Sequence, residues 1–396
     1  MEAYLLDWLN LLLRWFHMIT GVAWIGASFY FVWLDNHLLP PKDSAAAEKG
    51  VSGELWAVHG GGFYNAQKYR VAPAQLPAPL HWFKWEAYTT WISGFFLLCL
   101  VYYVGAEVYL IDRNIADIGK FAAIATGLGT LAAGWIVYDL LCKSALGKND
   151  AALGGVLFVL TVAAAWGLCQ VFSGRGAFIH FGAMLGTMMV GNVLFVIIPG
   201  QKDLVRAKVE GREPDPIHGL RGKQRSVHNT YFTLPVLFTM ISSHYAMTYG
   251  HQYNWLILTG ISFAGAAIRV YFVARHKGKA SPLPAIAGVV ALIVVAAAIA
   301  PPLRSGSAVA AVTFPQVQAI VHSRCASCHA QAPTQPGFTV APKGVMLDTP
   351  EQISAHALQI QQQVSSKVMP IANLTGMTDD ERVVIAQWFA AGAPAK

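Results

Sequence analysis

Near the end of the 396-residue chain, the stretch "VHSRCASCHA" (321–330) separates Cys325 from Cys328 by two residues and places His329 directly after. C-x-x-C-H is the order required for c-type haem attachment. Thioether bonds to Cys325 and Cys328 would hold the porphyrin, and His329 would be the proximal iron ligand. Two other chemistries use paired cysteines. Zinc needs two further ligands, which His322 and His356 could supply, and a thioredoxin-like pair needs a βαβ setting. A sixth iron ligand is expected further on, at Met369 in "SKVMPIANLTGMTDDERVVIAQWF". Met369 precedes a proline on a loop before the last helix, which Thr378 should open as a capping box with Glu381. Met377 and Met346 are the second choices. Methionine paired with histidine raises the iron potential, as suits an electron acceptor.

A second set of chemistry-bearing residues lies in apolar sequence: His17, His180 and His244. Ionisable groups inside membrane spans are expensive and mark functional positions. Two of these imidazoles could hold a non-covalent b-type haem, with Arg14, one turn from His17, pairing with a propionate. In "RWFHMITGVAWIGASFYF" the helical period puts His17, Gly21, Trp24 and Ser28 on one face, where small residues admit a flat ring. The plainer reading is hydrogen bonding between helices or a place among headgroups. Gly182 and Gly186, at G-x-x-x-G spacing, point to helix packing.

A third set gathers at the ends of other apolar runs: Asp35, Asn36, His37, Lys84, Glu86, Asp139, Asn192, His228, Asn229 and Arg269. Together these could line a pocket for a polar, anionic, planar molecule. Arg269, Glu86, His59 and Lys84 are the expected catalytic residues. For Lys84 and Arg269 the competing role is a snorkelling helix end. His59 belongs to "ELWAVHGGGFYNAQKYRV", inside a long connection from 35 to 84 whose glycines allow an unusual backbone path. The chain contains no G-x-S-x-G elbow, so His-Gly-Gly-Gly is not read as a hydrolase oxyanion loop.

These residues need elements to hold them. The chain is 55% hydrophobic and only 12% charged, against about 25% charge in a soluble domain. Apolar runs of spanning length, about 20 residues, fall near 9–34, 86–106, 119–141, 152–172, 177–199, 229–248, 254–274 and 284–302. The leader "MEAYLLD" is acidic, unlike a secretory signal. The expected fold is an all-α polytopic bundle of about eight transmembrane helices (1–303), a linker (304–312) and a small cytochrome c domain (313–396). Lys and Arg concentrate in alternate connections, notably 42–84 and 202–225, which places those connections inside a bacterial inner membrane. The N-terminus and the C-terminal domain are then periplasmic, where c-type haem is attached. The net charge of +7 follows from this topology and does not call for nucleic acid. Cys99, Cys142 and Cys169 lie in apolar runs as small hydrophobes.

The tail resembles a class I cytochrome c. The opening "RWFHMITGVAWIGASFYF", the loop "VHGGGFY", the stretch "HWFKWEAYTTWISGF" and the fused "CASCH" together resemble the membrane-bound bacterial urate oxidases, or urate hydroxylases, over essentially the whole chain. The helix 1 pattern is also similar to membrane protoporphyrinogen oxidases. The urate oxidase resemblance implies oxidation of urate with water to 5-hydroxyisourate in purine degradation. Electrons would pass to the cytochrome haem and on to a soluble periplasmic cytochrome or a terminal oxidase. The competing reading is a cytochrome-bearing membrane subunit of a quinol-oxidising respiratory complex, which would need neither the inner polar set nor so long a loop.

Overall fold

The computed structural model describes residues 2–276, 278, 281–300, 312–336, 338–365 and 367–395. Most of the expected linker, residues 304–311, lies outside them. Helix accounts for 69% of the chain and strand for 5%, so the all-α expectation holds for the bundle and fails at one hairpin.

The bundle is built from α1 (Glu2–His37), α2 (Trp85–Val104), α3 (Lys120–Lys143), α4 (Asp150–Cys169), α5 (Gly174–Val209), α6 (Pro216–Ser242), α7 (Asn254–His276) and α8 (Leu283–Ala298). Six of these, α1 to α5 and α7, are long and apolar enough to cross a bilayer. The other two depart from the expected spans. The first half of α6 is basic and polar, "PIHGLRGKQRSVHN", before its apolar half begins. Helix α8 is apolar but has 16 residues, about 24 Å at 1.5 Å per residue, short of a 30 Å hydrocarbon core.

Helix α5 is the central element and packs on α3, α4 and α6. Two glycines make this packing possible. A Cβ on Gly182 would lie 1.9 Å from the Thr239 hydroxyl of α6, and one on Gly127 of α3 would lie 2.6 Å from His180 Nε2. The expectation that Gly182 serves helix packing is met by this contact. Both α2 and α5 carry a π-helical segment, Cys99–Val104 and Asn192–Ile197. One extra residue per turn rotates the side chains that follow.

The exception to the all-α pattern is β1 (Val51–His59) paired antiparallel with β2 (Gly62–Tyr69). Side chains alternate along both strands, and the tip turns at Gly60 (φ 56°) and Gly61 (φ 81°), the left-handed conformations of a tight hairpin turn. A Leu39–Glu54 bridge and an ion pair from Lys68 to Asp35 fasten the hairpin to the end of α1.

The tail has its own core. Helices α9 (Phe314–Arg324), α10 (Pro350–Ala355), α11 (Ala357–Ser365) and α12 (Asp379–Ala390) close over Val317, Val321, Ile353, Ile385 and Trp388. The expected capping box is present: Thr378 accepts from the Glu381 N–H, and the Glu381 carboxylate accepts from the Thr378 N–H. Glu381 also pairs with Arg324 at 3.0 Å. Partial burial pushes the Glu381 carboxyl up, but the Thr378 N–H and the Arg324 guanidinium outweigh it and hold it below its ordinary value. The ionised form therefore stabilises the folded tail. That contribution is complete above the unfolded carboxyl pKa of about 4.3 and is lost as pH falls through the lower folded value. Glu381→Gln is expected to make the tail more protease-sensitive at neutral pH and to flatten the acid limb of its stability. Limited proteolysis of the full-length protein across pH checks this, and identical acid limbs would remove the pair from the tail's stability.

Candidate functional site

The tail residues converge on one cleft. Cys325, Cys328, His329 and Met369 line it with Phe338, Pro342, Ile371 and Leu374. His329 Nδ1 lies 3.0 Å from the Val345 carbonyl. If that nitrogen carries the proton and donates, Nε2 is left free to bind a metal, the usual arrangement of a ligating histidine. Burial pushes the Cys325 thiol up to about 11 and raises Cys328 as well, unlike a reactive C-x-x-C pair, whose thiol is depressed. Arg382 fixes the opposite wall. It is nearly buried and donates to the Val364 carbonyl at 2.7 Å and the Met369 carbonyl at 2.8 Å. Of the second choices, Met377 is buried in the tail core and Met346 is exposed. The donor set and the apolar walls fit a covalently held haem.

The three bundle histidines have different surroundings. His17 places Nδ1 3.0 Å from both the Thr90 carbonyl and the Ser93 hydroxyl, beside Gly94. His180 is 0% exposed, with Nδ1 2.8 Å from the Gly176 carbonyl and Nε2 3.3 Å from the Tyr103 hydroxyl. Both of its nitrogens have partners, and Gly127 and Phe172 pack its ring. His244 is exposed on the turn after α6, and Arg14 donates within its own helix to Asn10. As packed, His180 offers no free ring nitrogen, and both His17, through Thr90 and Ser93, and His180, through Tyr103, bond to α2.

At the opposite depth of the bundle, Arg269 of α7 stands out. It is 7% exposed, its guanidinium carbon lies 3.8 Å from the centre of the Phe29 ring of α1, and Nε and Nη2 have no hydrogen-bond partner among the described residues. An unpaired buried cation costs several kcal/mol, so it persists only where something else requires it. Glu86, in the first turn of α2, likewise has a buried Oε2 with no partner among the described residues. Antiparallel packing of α1 on α2, with His17 at Ser93 and Gly21 at Thr90, continues to put Glu86 near the depth of Trp24 to Ser28. His276, two turns beyond Arg269, faces His37 with ring centres 5.0 Å apart, and its Nδ1 is also buried and unpartnered. The expected catalytic residues therefore divide. Arg269 is buried and half-buried Glu86 has a buried Oε2, both with atoms that lack partners among the described residues, Lys84 lies over the Trp85 ring at 5.7 Å, and His59 is exposed at the last rung of the hairpin. Phe29 is the partner that residue types alone did not reveal, since one phenylalanine in an apolar helix carries no signal.

A satisfied polar network lies beside α5. Asn192 donates to the Tyr138 hydroxyl at 3.0 Å and to Asn229 at 2.8 Å, while Arg225 donates to Asn192 at 3.0 Å and to Asp139 at 2.7 Å. The Tyr138 hydroxyl also meets His228 Nδ1 at 2.9 Å. Asp139, Asn192, His228 and Asn229 belong to the expected polar set. Arg225 reads in sequence as one of many loop cations.

The structure is a helical bundle with several helices of spanning length, joined to a small helical tail that carries a thiol–histidine cleft. Residues 3–300 match the Urate oxidase N-terminal family, and the chain belongs to that family. No curated protein and no solved structure matches it.

Proposed function

We propose that the chain is a membrane-bound, cytochrome-linked urate oxidase. Its bundle oxidises urate, and its tail passes the electrons to a soluble periplasmic cytochrome or a terminal oxidase. The observation that carries the reading is the buried Arg269 guanidinium, whose Nε and Nη2 have no partner among the described residues, against Phe29 in a chain of the Urate oxidase N-terminal family. Urate is a planar monoanion at neutral pH. The free Nε and Nη2 edge of Arg269 would pair with its deprotonated side, and the Phe29 ring supplies an adjacent apolar surface. Oxidation with water to 5-hydroxyisourate releases two electrons and two protons. Glu86, whose buried Oε2 has no hydrogen-bond partner among the described residues, is the carboxylate at that depth able to take a proton. Cys325, Cys328 and His329, with Met369 across the cleft, would hold a c-type haem, which supplies one-electron acceptance. Arg382 keeps the Met369 loop in place.

Lysine and arginine asymmetry supports an orientation with the Arg269 end inside, where purine breakdown occurs, and the tail outside. The folded contacts agree with that polarity. The turn Ile371–Asn373, next to Met369, packs on the short helix Ala106–Tyr109, on the face of the bundle opposite the end of α7.

The test is an anaerobic absorption spectrum of the purified, detergent-solubilised protein before and after urate. Reduction of a c-type band by urate is expected. A band that dithionite reduces and urate does not would sink the assignment, and quinol would be the next donor to try. Cys325→Ser/Cys328→Ser should leave no thioether, so any haem it retains should be removed by acid–acetone extraction. Covalent haem surviving in that variant would exclude the two cysteines as the attachment points.

A further inference from the structure

The basic end of the bundle carries a second recess, unrelated to Arg269. A cleft of about 410 Å³ opens between the end of α3, the α5 stretch from its π segment onward, and the start of α6. Lys143, Arg206, Arg221 and Arg225 line it, with Phe195 and Pro199 forming an apolar wall. The carboxylates near it are already engaged: Asp203 is 3.2 Å from His218, and Asp139 holds Arg225 at 2.7 Å and Lys143 at 2.6 Å. Arg206 and Arg221 have no ion-pair partner among the described residues, leaving uncompensated positive charge at the mouth. The apolar wall continues into bare apolar surface, since Phe195, Leu194, Ile136, Val137 and Leu140 are all exposed on α5 and α3. A cationic recess with an apolar flank running towards mid-bundle suits a ligand that is anionic at one end and apolar along the other.

We infer that this cleft is a binding site for the phosphate of an anionic phospholipid, with Arg206 and Arg221 on the headgroup and an acyl chain along Phe195 and Leu140. Basic pockets between helices on the inner face of a membrane bind such headgroups, and arginine is suited to the planar, two-point recognition of phosphate. A free phosphate ester shares the charged part of this chemistry but leaves the apolar wall unused. The site rests on the bilayer reading and not on urate, so it stands or falls separately from the Arg269 site. An occupant here would tie the inner ends of α3, α5 and α6 together over the Arg225–Asn192–Tyr138 network.

The experiment is thermal melting of the full-length protein in neutral detergent with added phosphatidylglycerol, phosphatidylcholine or inorganic phosphate. Phosphatidylglycerol is expected to raise Tm by about 4 °C at saturating concentration, and phosphatidylcholine and phosphate to leave it unchanged. The double variant Arg206→Gln/Arg221→Gln should lose most of that rise, while Lys202→Gln/Lys208→Gln, at the same end but outside the lining, should keep it. Equal stabilisation of the wild type and the arginine variant would overturn the site, as would equal losses in the two variants, which would mean diffuse charge attraction. A rise with inorganic phosphate alone would overturn the lipid and identify a soluble oxyanion. Native mass spectrometry of the wild type supplies a check independent of the variants, a retained phospholipid mass being the expected result and its absence after gentle extraction counting against the site.

Discussion

Replacing Arg269 with methionine is expected to leave the fold at least as stable as before and to slow urate-driven reduction of the tail about a hundred-fold. The two effects have one cause. In the folded chain the guanidinium is buried, lies against Phe29, and lacks partners at Nε and Nη2 among the described residues. Removing an unpaired buried charge in favour of an apolar side chain of similar length relieves desolvation and keeps the contact with the ring. Removing the counter-charge of a desolvated ligand costs about 2–5 kcal/mol, and each 1.4 kcal/mol is tenfold. Melting temperature and the rate of urate-driven haem reduction separate the possibilities, with dithionite reduction as a control on the tail. A variant that melts well below the wild type would make Arg269 a structural residue. One that keeps its urate response would move the substrate site elsewhere. Arg269→Lys keeps a charge but loses the planar two-point edge, so an intermediate rate is expected.

Residue type announced some of this arrangement and concealed the rest, for identifiable reasons. Cys325, Cys328 and His329 are adjacent in sequence, so their chemistry is local and legible, as is the Thr378 cap. Asp139, Asn192, His228 and Asn229 are polar residues in apolar surroundings, which flags them wherever the helices end. What joins them does not show in the sequence, because the network depends on the π segment that starts at Asn192 and on an arginine from the polar half of α6. The three histidines illustrate the reverse case. Alternating topology placed them at a common depth, but depth leaves the facing of each ring undetermined, and His180 turns into α2 and α3 while His244 turns to the surface. The hairpin was hidden by its setting. Its strands alternate, but a long connection between two apolar helices reads as a loop, and the glycine run His59-Gly60-Gly61-Gly62 reads as irregular backbone until the Val58–Phe63 pairing closes around it.

Arg225 is the counterpart of Arg269, and the opposite result is expected from the same substitution. It is 3% exposed, lies over the Tyr138 ring at 4.9 Å, and is fully engaged by Asn192 and Asp139. Arg225→Met would strip the Asn192 carbonyl of its donor and leave the Asp139 carboxylate, 13% exposed, with Lys143 alone. Breaking a buried pair on one side costs about 3–5 kcal/mol, a fall in Tm of roughly 6–10 °C at about 2 °C per kcal/mol. Because Lys143 is 62% exposed and still reaches Asp139, the lower end of that range is the better expectation. The double variant Arg225→Met/Asp139→Leu removes the stranded carboxylate and should recover most of the loss. Melting of the two variants beside the wild type decides the matter: a single variant as stable as the wild type would deny Arg225 its structural role, and a double variant no better than the single would place the cost in Asn192 instead of Asp139. The contrast between the two arginines is what makes the substrate assignment testable without a bound ligand. A buried cation whose donors are already used holds helices together, and one whose donors are free is held in place for something that arrives later.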